Sequence, residues 1–585
     1  MTRFWLVFLL FAVIPNGELL AQTDSTQGTY SFSITLVDSF SLEPCPFVNM
    51  YNHSQQRALL SDFNGHFELS GISLTDSISL QCTGYKSFHF LAERFVFEKQ
   101  LYLIPEGNPL EEVIVLADDR HLYRWMETVF AEKQETETAK TYIQVETFLN
   151  QTQVELVESY YNATVKGSAI ESLTYKNGRI AIEKSDNTSF LSTETSKAIL
   201  QLRLNASNDY LPETPFQYRS KRMRKAFKLT LNATYTSSTG HAIYVIRFQP
   251  RNPENSGFSG TIWLDTVTKR AEKLTLNALT SSKHPFIPIS TTDRILSVNM
   301  EINYVFDSKA KFQHIDFIYF NYQLEYCNRD RDRYEVSTYV VVHPYDYTST
   351  FIPPHFDRKE SQLSDYRKIH AFPYNKKFWE EVEHPISQEN SEQNEQFFTN
   401  QSTILNTDSV NLLNTDPYQR GFFESEYHVW GKRRIVFINT LNDTKTTTTT
   451  AQILSEQYEL TAQIYLDINV YDGEIDVISA TILDPYKTYY KLPLDSMSDC
   501  FLNLYLDIVE IERRKFMEQL QLQTISAGEL EMAYQQLNSD IQTKTALYFK
   551  EVAHGSNRRG MEKWNRYVYE NLGIDNFLVF KLHPI

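Results

Sequence analysis

The chain is poor in glycine and in cysteine, and it has no surplus of positive charge. Eighteen Gly among 585 residues exclude a collagen-like or fibrous chain. The four cysteines, Cys45, Cys82, Cys327 and Cys500, show no C-x-x-C spacing, which argues against a structural zinc site or a thioredoxin-like motif. Acidic residues number 73 against 56 basic ones, a formal net charge of −17. A chain built to cover phosphate backbones has the opposite balance, so nucleic acid is not an expected partner. Beyond the N-terminus no segment approaches the roughly eighteen uninterrupted apolar residues of a membrane span, so no transmembrane helix is expected in the mature chain. Also absent are H-E-x-x-H, G-x-S-x-G, G-x-x-x-x-G-K-[ST] and G-x-G-x-x-G. That removes the common hydrolases and phosphate-cradling loops, and no catalytic, cofactor-binding or metal-ligating residue is assigned.

What the chain does have is material for a core. Apolar residues make up 42% and aromatics 14%, with 36 Tyr and 38 Phe, and at about 150 residues per domain the length suggests roughly three to four domains. The N-terminus reads MTRFWLVFLLFAVIPNGELLAQ. Arg3 ahead of the apolar run 4–14, helix breakers at Pro15 and Gly17, and Ala21 before Gln22 form a signal-peptide pattern, with cleavage expected after Ala21. No cysteine stands at that junction, so a lipid anchor is not indicated there. Cys45 and Cys82 fall in one module and are read as two buried thiols, with a disulfide between them as the alternative in an oxidising compartment.

Residues 29–117 read as short strands and turns. Phe32, Ile34 and Leu36 alternate with polar residues, and Asp62-Phe63-Asn64-Gly65 has the chemistry of a tight turn, Asn-Gly supplying positive φ. The order LEPCPFVNM, ALLSDFNGHFEL, SISLQCTGYKSF, QLYLIPEGNPLEEVIVLAD resembles the carboxypeptidase regulatory-like domain of exported proteins from Bacteroidetes-type bacteria. The resemblance covers about 90 residues and rests on Pro-Phe-Val-Asn, Asp-x-x-Gly-x-Phe, Gly-Tyr-Lys and Leu-Glu-Glu-Val-x-Val in combination. It implies a transthyretin-like seven-stranded sandwich with a scaffolding role and no catalytic centre. Cys45 and Cys82 depart from the family pattern.

A polar helical bridge is expected over 118–140, with Leu122, Met126 and Phe130 on one face. Long hairpins follow in a β-rich middle domain, 141–384. Its clearest strand carries Leu296, Val298, Met300, Ile302, Tyr304 and Phe306 in strict alternation. The phrase GTIWLDTVTKRAEKLTL resembles a hairpin of half-barrel domains of the bacterial lipoprotein-carrier type. A linker rich in Asn, Gln, Ser and Thr spans 385–420, and a C-terminal α+β domain occupies 421–585. There Leu502, Leu506, Val509, Phe516 and Leu520 mark one helix face, Glu510 is expected to pair with Arg514 on the exposed side, Ser526 and Glu529 form a capping box, and Trp564 anchors a third helix. The fold class is therefore mainly β and multidomain, with an N-terminal transthyretin-like β-sandwich, a half-barrel-like antiparallel middle domain and a C-terminal α+β domain.

His370 with Glu380, Glu381, Glu383 and His384 is the nearest approach to a metal cluster. The reading adopted is that Phe378 and Trp379 are packing anchors and the charges are solvated. His343 and His355 are isolated, and His554 ahead of Gly555 suits a helix C-terminus. Arg558, Arg559 and Lys563 read as a basic helix surface. Arg219, Lys221, Arg222, Arg224, Lys225 and Lys228 form a basic run, read as a solvated loop or an edge strand guarded by charge. The functional expectation is an exported, non-enzymatic envelope protein at the periplasm or outer membrane, with a scaffolding, binding or assembly role. Its expected partners are envelope proteins or a lipid, and no cofactor is expected. The alternatives are a carrier of an apolar ligand in the middle domain, and a divergent hydrolase.

Overall fold

The computed structural model describes residues 29–104, 119–182, 195–382, 397–398, 428–435 and 458–582, with shorter gaps inside those spans. The signal-peptide segment, residues 62–64 and 110–115, His370, Glu383, His384, Ser526 and most of the 385–420 linker lie outside the described residues. The chain forms two compact units, one made chiefly of residues 1–111 and the other of most of the remainder.

The first unit contains β1 (Thr29–Asp38), β2 (Asn49–Asn52), β3 (Arg57–Leu60), β4 (His66–Ser73), β5 (Ser77–Gln81), β6 (Phe88–Leu91), the short helix α1 (Arg94–Phe97) and β7 (Gln100–Leu103). The strands make one sheet of order β4-β1-β7 and another of order β3-β2-β5-β6. The alternation read in β1 is the buried face: Ile34 and Leu36 join Met50, Phe67, Leu69, Ile78, Leu80, Leu101 and Leu103 in one core. Cys45 is buried and Cys82 half-buried, and no disulfide joins them. Gly65 has φ +70°, and a Cβ there would lie 2.4 Å from the Leu36 carbonyl oxygen, so both backbone conformation and space demand glycine at this turn.

The second unit begins with α2 (Arg120–Thr128), followed by β8 (Thr136–Leu149), β9 (Thr152–Lys166), β10 (Ala169–Ile182), α3 (Thr195–Leu200), α4 (Ser220–Ala226) and β11 (Phe227–Thr236). Then come β12 (Ala242–Pro250), β13 (Ser259–Asp265), β14 (Ala271–Ala278), β15 (Arg294–Asp307), β16 (His314–Cys327) and β17 (Arg333–Asp346). These ten strands form a single antiparallel sheet of order β10-β9-β8-β17-β16-β15-β14-β13-β12-β11. Two meanders, β8 to β10 and β11 to β17, are thus joined where β17 pairs with β8.

The expected bridge is shorter than the sequence suggests: helix ends at Thr128 and strand begins at Thr136. It packs on the sheet, with Leu122, Tyr123, Met126 and Phe130 in the same core as Leu274, Leu276, Val298, Met300, Ile302, Tyr304 and Phe306. The reason is amphipathicity, since the apolar stripe of a short helix is stable only when covered. Leu296 is the exception in its strand. A register shift between Ile295 and Ser297 leaves it at a bulge, 43% exposed, off the buried face. The basic run is neither loop nor simply edge strand. It forms α4, which buries Met223, and enters the edge strand β11, with its Arg and Lys side chains exposed.

The rest of the unit comprises α5 (Lys376–Glu381), β18 (His428–Val429), β19 (Tyr458–Glu459), β20 (Ala462–Tyr471), β21 (Glu474–Leu483) and β22 (Tyr489–Tyr490). It ends with α6 (Ser496–Gln521), α7 (Ala527–Val552), α8 (Arg558–Leu572) and α9 (Asn576–Val579). Residues 112–233, 243–383 and 394–585 make up this unit, and buried polar contacts described below tie β20 to β10 within it. Helix α6 is buried all round from Cys500 to Ile511. Glu510 consequently does not sit on an exposed side. It is 1% exposed, bonds Arg514 and Arg513 at 2.8 and 2.7 Å and accepts from Thr481 of β21. Trp564 is buried and donates to Glu551 at 2.8 Å. Among the described residues no helix is long and apolar enough to cross a membrane.

Candidate functional site

Strands β8, β9 and β10 are buried on both faces along their central stretches, 139–145, 154–163 and 175–182. One face enters the main core. The other carries two cross-strand rows, Tyr142–Tyr160–Asn177 and Gln144–Glu158–Arg179, set by the antiparallel register. Buried polar groups must find partners, and here they do. Arg179 holds Glu158 at 2.6 Å and lies between the rings of Trp379 and Phe398, 4.3 and 4.2 Å from their centroids. Tyr160 is ringed by Tyr142, Phe351, Phe378 and Trp379 at centroid distances of 5.1 to 5.9 Å. Phe378 and Trp379 are therefore the anchors expected from sequence, and Phe398 shows that part of the segment read as linker packs on the sheet.

Lys176 is the unpaired residue of a bulge between Tyr175 and Asn177. The bulge aims its ammonium group out of the ladder. It donates to Asp467 of β20 at 2.5 Å and to the carbonyls of Ile352 and Ile468, each at 2.9 Å, filling all three donor positions. Asp467 also accepts from Asn375 at 3.3 Å and Asn469 at 3.2 Å. Asn375 in turn caps α5 by accepting from the Phe378 amide. Burial pulls the Lys176 pKa down against the favourable charge of Asp467. This is a clamp that fixes the C-terminal hairpin to the sheet.

Glu146, on the same face, is half-buried, and burial together with the Glu158 charge pushes its pKa up to about 7. Between the unfolded value of 4.5 and about 7 the native state holds a proton that the unfolded chain has released, so this group's stabilisation is complete below pH 4.5 and is lost as pH rises through 7. Glu146→Gln removes that loss. The variant should gain about 2 kcal/mol over the parent between pH 4.5 and 8, a figure reduced from the full shift for partial solvent exposure. Parallel pH profiles of thermal stability for the two proteins would refute this.

A separate cleft of about 490 Å³ is lined by Pro354, His355, Phe356, Ala462, Gln463, Ile464, Tyr534 and Asn538. His355 bridges to Leu466 through both backbone groups, which lays residues around 355 beside β20. Its ring lies 4.9 Å from Tyr534 and its Nε2 is 3.2 Å from Glu531. The Tyr534 hydroxyl donates to the Ile464 carbonyl at 2.9 Å.

The other residues singled out in the sequence are dispersed. Glu380 and Glu381 are exposed on α5, Glu380 paired with Lys376 at 3.1 Å. His343 is half-buried, stacked on Phe317 at 3.9 Å, with Nδ1 2.7 Å from the Asp316 carbonyl, and desolvation pulls its pKa down to about 4. Arg558 bonds Glu562 and the Leu582 carbonyl, and Lys563 bonds Glu551. The side chain of His554 lies outside those described. Among the described residues no group of three or more His, Cys, Asp or Glu could hold a metal ion. The buried charges were missed in the sequence reading; their signal was Glu155, Glu158, Lys176 and Arg179 inside otherwise apolar, aromatic strands.

No protein family matches this chain, and no curated protein matches its sequence. Among solved structures it is similar to the Pseudomonas aeruginosa MucA/MucB complex, with 9% identity over 39% of this chain and 99% of that one and a TM-score of 0.13. It is also similar to a LolA superfamily protein from Nitrosomonas europaea, with 8% identity over 40% of this chain and 96% of that one and a TM-score of 0.16. TM-scores this low fall far short of a shared fold.

Proposed function

We propose that this chain is an exported protein of the bacterial envelope with a non-catalytic scaffolding, binding or assembly role, its N-terminal sandwich being a carboxypeptidase regulatory-like module. The observation that carries the reading is the ten-stranded sheet, which the chain's own residues cover on both faces along the central stretches of β8 to β10 and whose apolar face is packed by α2, α3 and α4. A sheet filled in this way is a rigid platform. The arrangement supports a role in presenting surfaces over that of carrying an apolar ligand inside the middle sheet. The signal-peptide pattern supports the address. The test is fractionation of the native host with N-terminal sequencing and cross-linked pull-down. A mature chain starting near Gln22, held in the envelope fraction with reproducible protein partners, is expected. A chain that begins at Met1 or Thr2 in the cytoplasmic fraction would overturn the proposal.

A further inference from the structure

The cleft beside His355 plays no part in the clamp, it opens at the edge of a hydrophobic core to which Ile464 belongs and against which Ala462 and Tyr534 pack, and its lining is selective. Lys, Arg, Asp and Glu are absent from its lining, and the Glu531 carboxylate lies 3.2 Å from His355 Nε2. An anionic or strongly cationic ligand would find no matching charge there. What the walls offer instead is a set of fixed rings with amides beside them. Tyr534 is held at its hydroxyl by the Ile464 carbonyl and along its ring by His355, and burial raises its pKa, so it remains a neutral phenol. Phe356 packs on the buried Tyr465 at 6.4 Å. Rings held this way lose little further freedom when a ligand settles on them.

We infer that the cleft binds a neutral saccharide. A pyranose has an apolar C–H face and a rim of hydroxyls that both donate and accept. The half-buried rings of Tyr534, Phe356 and Pro354 are the surfaces available to such a face, set in a lining that is otherwise mainly polar. The Asn538 amide, which already supports the Tyr534 hydroxyl, has a second N–H and a carbonyl oxygen for ring hydroxyls, a pairing that a purely apolar ligand would waste. At about 490 Å³ the volume lies within the range of about 300–1,000 Å³ typical of small-ligand sites and accommodates a disaccharide. The inference goes beyond the scaffolding role and is independent of where the protein resides.

The test uses the full chain, with maltose, cellobiose and N,N′-diacetylchitobiose as probes and methyl phosphate as the charged control, read by saturation-transfer NMR and calorimetry. At least one sugar should bind saturably and methyl phosphate should not. Tyr534→Ala and Asn538→Ala should each weaken binding about tenfold or more, while Tyr534→Phe, which keeps the ring, should change it only a few-fold. Should Tyr534→Ala fail to fold, Asn538→Ala decides the matter, its melting temperature serving as the check on folding. Absence of binding by all three sugars to the folded parent, equal binding by the parent and Asn538→Ala, or preferential uptake of methyl phosphate would each overturn the assignment.

Discussion

Val298→Asp abolishes the cooperative melt of the larger unit. Val298 is fully buried on β15, pairs with Leu324 of β16, and belongs to the core that includes Met126 and Phe130 from the segment of α2. A carboxylate placed there has no partner. Burying an unpaired charge costs several kcal/mol, enough to consume much of a typical domain stability of about 5–15 kcal/mol. Val298→Ala, which removes only two methyl groups, should cost about 2 kcal/mol and keep the transition cooperative. The contrast separates a filled core from a groove wall. At a groove wall Val298→Asp would leave the melt nearly unchanged and abolish lipid uptake, so a folded Val298→Asp protein together with lipid co-purifying from the parent would refute the packed sheet.

Asp467→Ala produces the second large effect. It strands the Lys176 ammonium group at a site where both partners are under 2% exposed, and it removes the acceptor for Asn375 and Asn469. Breaking one side of a buried pair costs about 3–5 kcal/mol, whereas replacing both sides by apolar residues is often neutral. Asp467→Leu combined with Lys176→Met should therefore recover most of the loss. Urea midpoints followed by near-UV circular dichroism give the comparison. A single-variant loss under about 1 kcal/mol, the value of a surface pair, would show that the clamp contributes little. Because α5 is capped by the same Asn375, Asp467→Ala should also loosen that helix, visible as faster amide exchange at Phe378.

Much of the mainly β architecture was legible residue by residue. The alternation of β1 and β15, the Asp265 turn between β13 and β14 whose carboxylate accepts from the Val267 and Thr268 amides, and the three long C-terminal helices are local patterns, set by periods of two or 3.6 residues and by turn chemistry. Leu296 and Glu510 show where that reading stops. A one-residue bulge changes which face a side chain takes, and a helix enclosed on every side buries the charges that its own periodicity assigns to solvent.

The sequence by itself determined the strand and helix content, the absence of a long apolar span after the N-terminus and the glycine at turn position 65, since each depends on neighbours within a few residues. Only the tertiary structure decided that Lys176 meets Asp467 at a separation of 291 residues, that Arg179 rests between Trp379 and Phe398, and that a cleft opens beside His355. The physical reason is that a strand's period encodes two faces but not what will lie on each. A charge inside a strand is stable in water or in a clamp, and the choice belongs to a distant segment that supplies its partner and excludes the solvent.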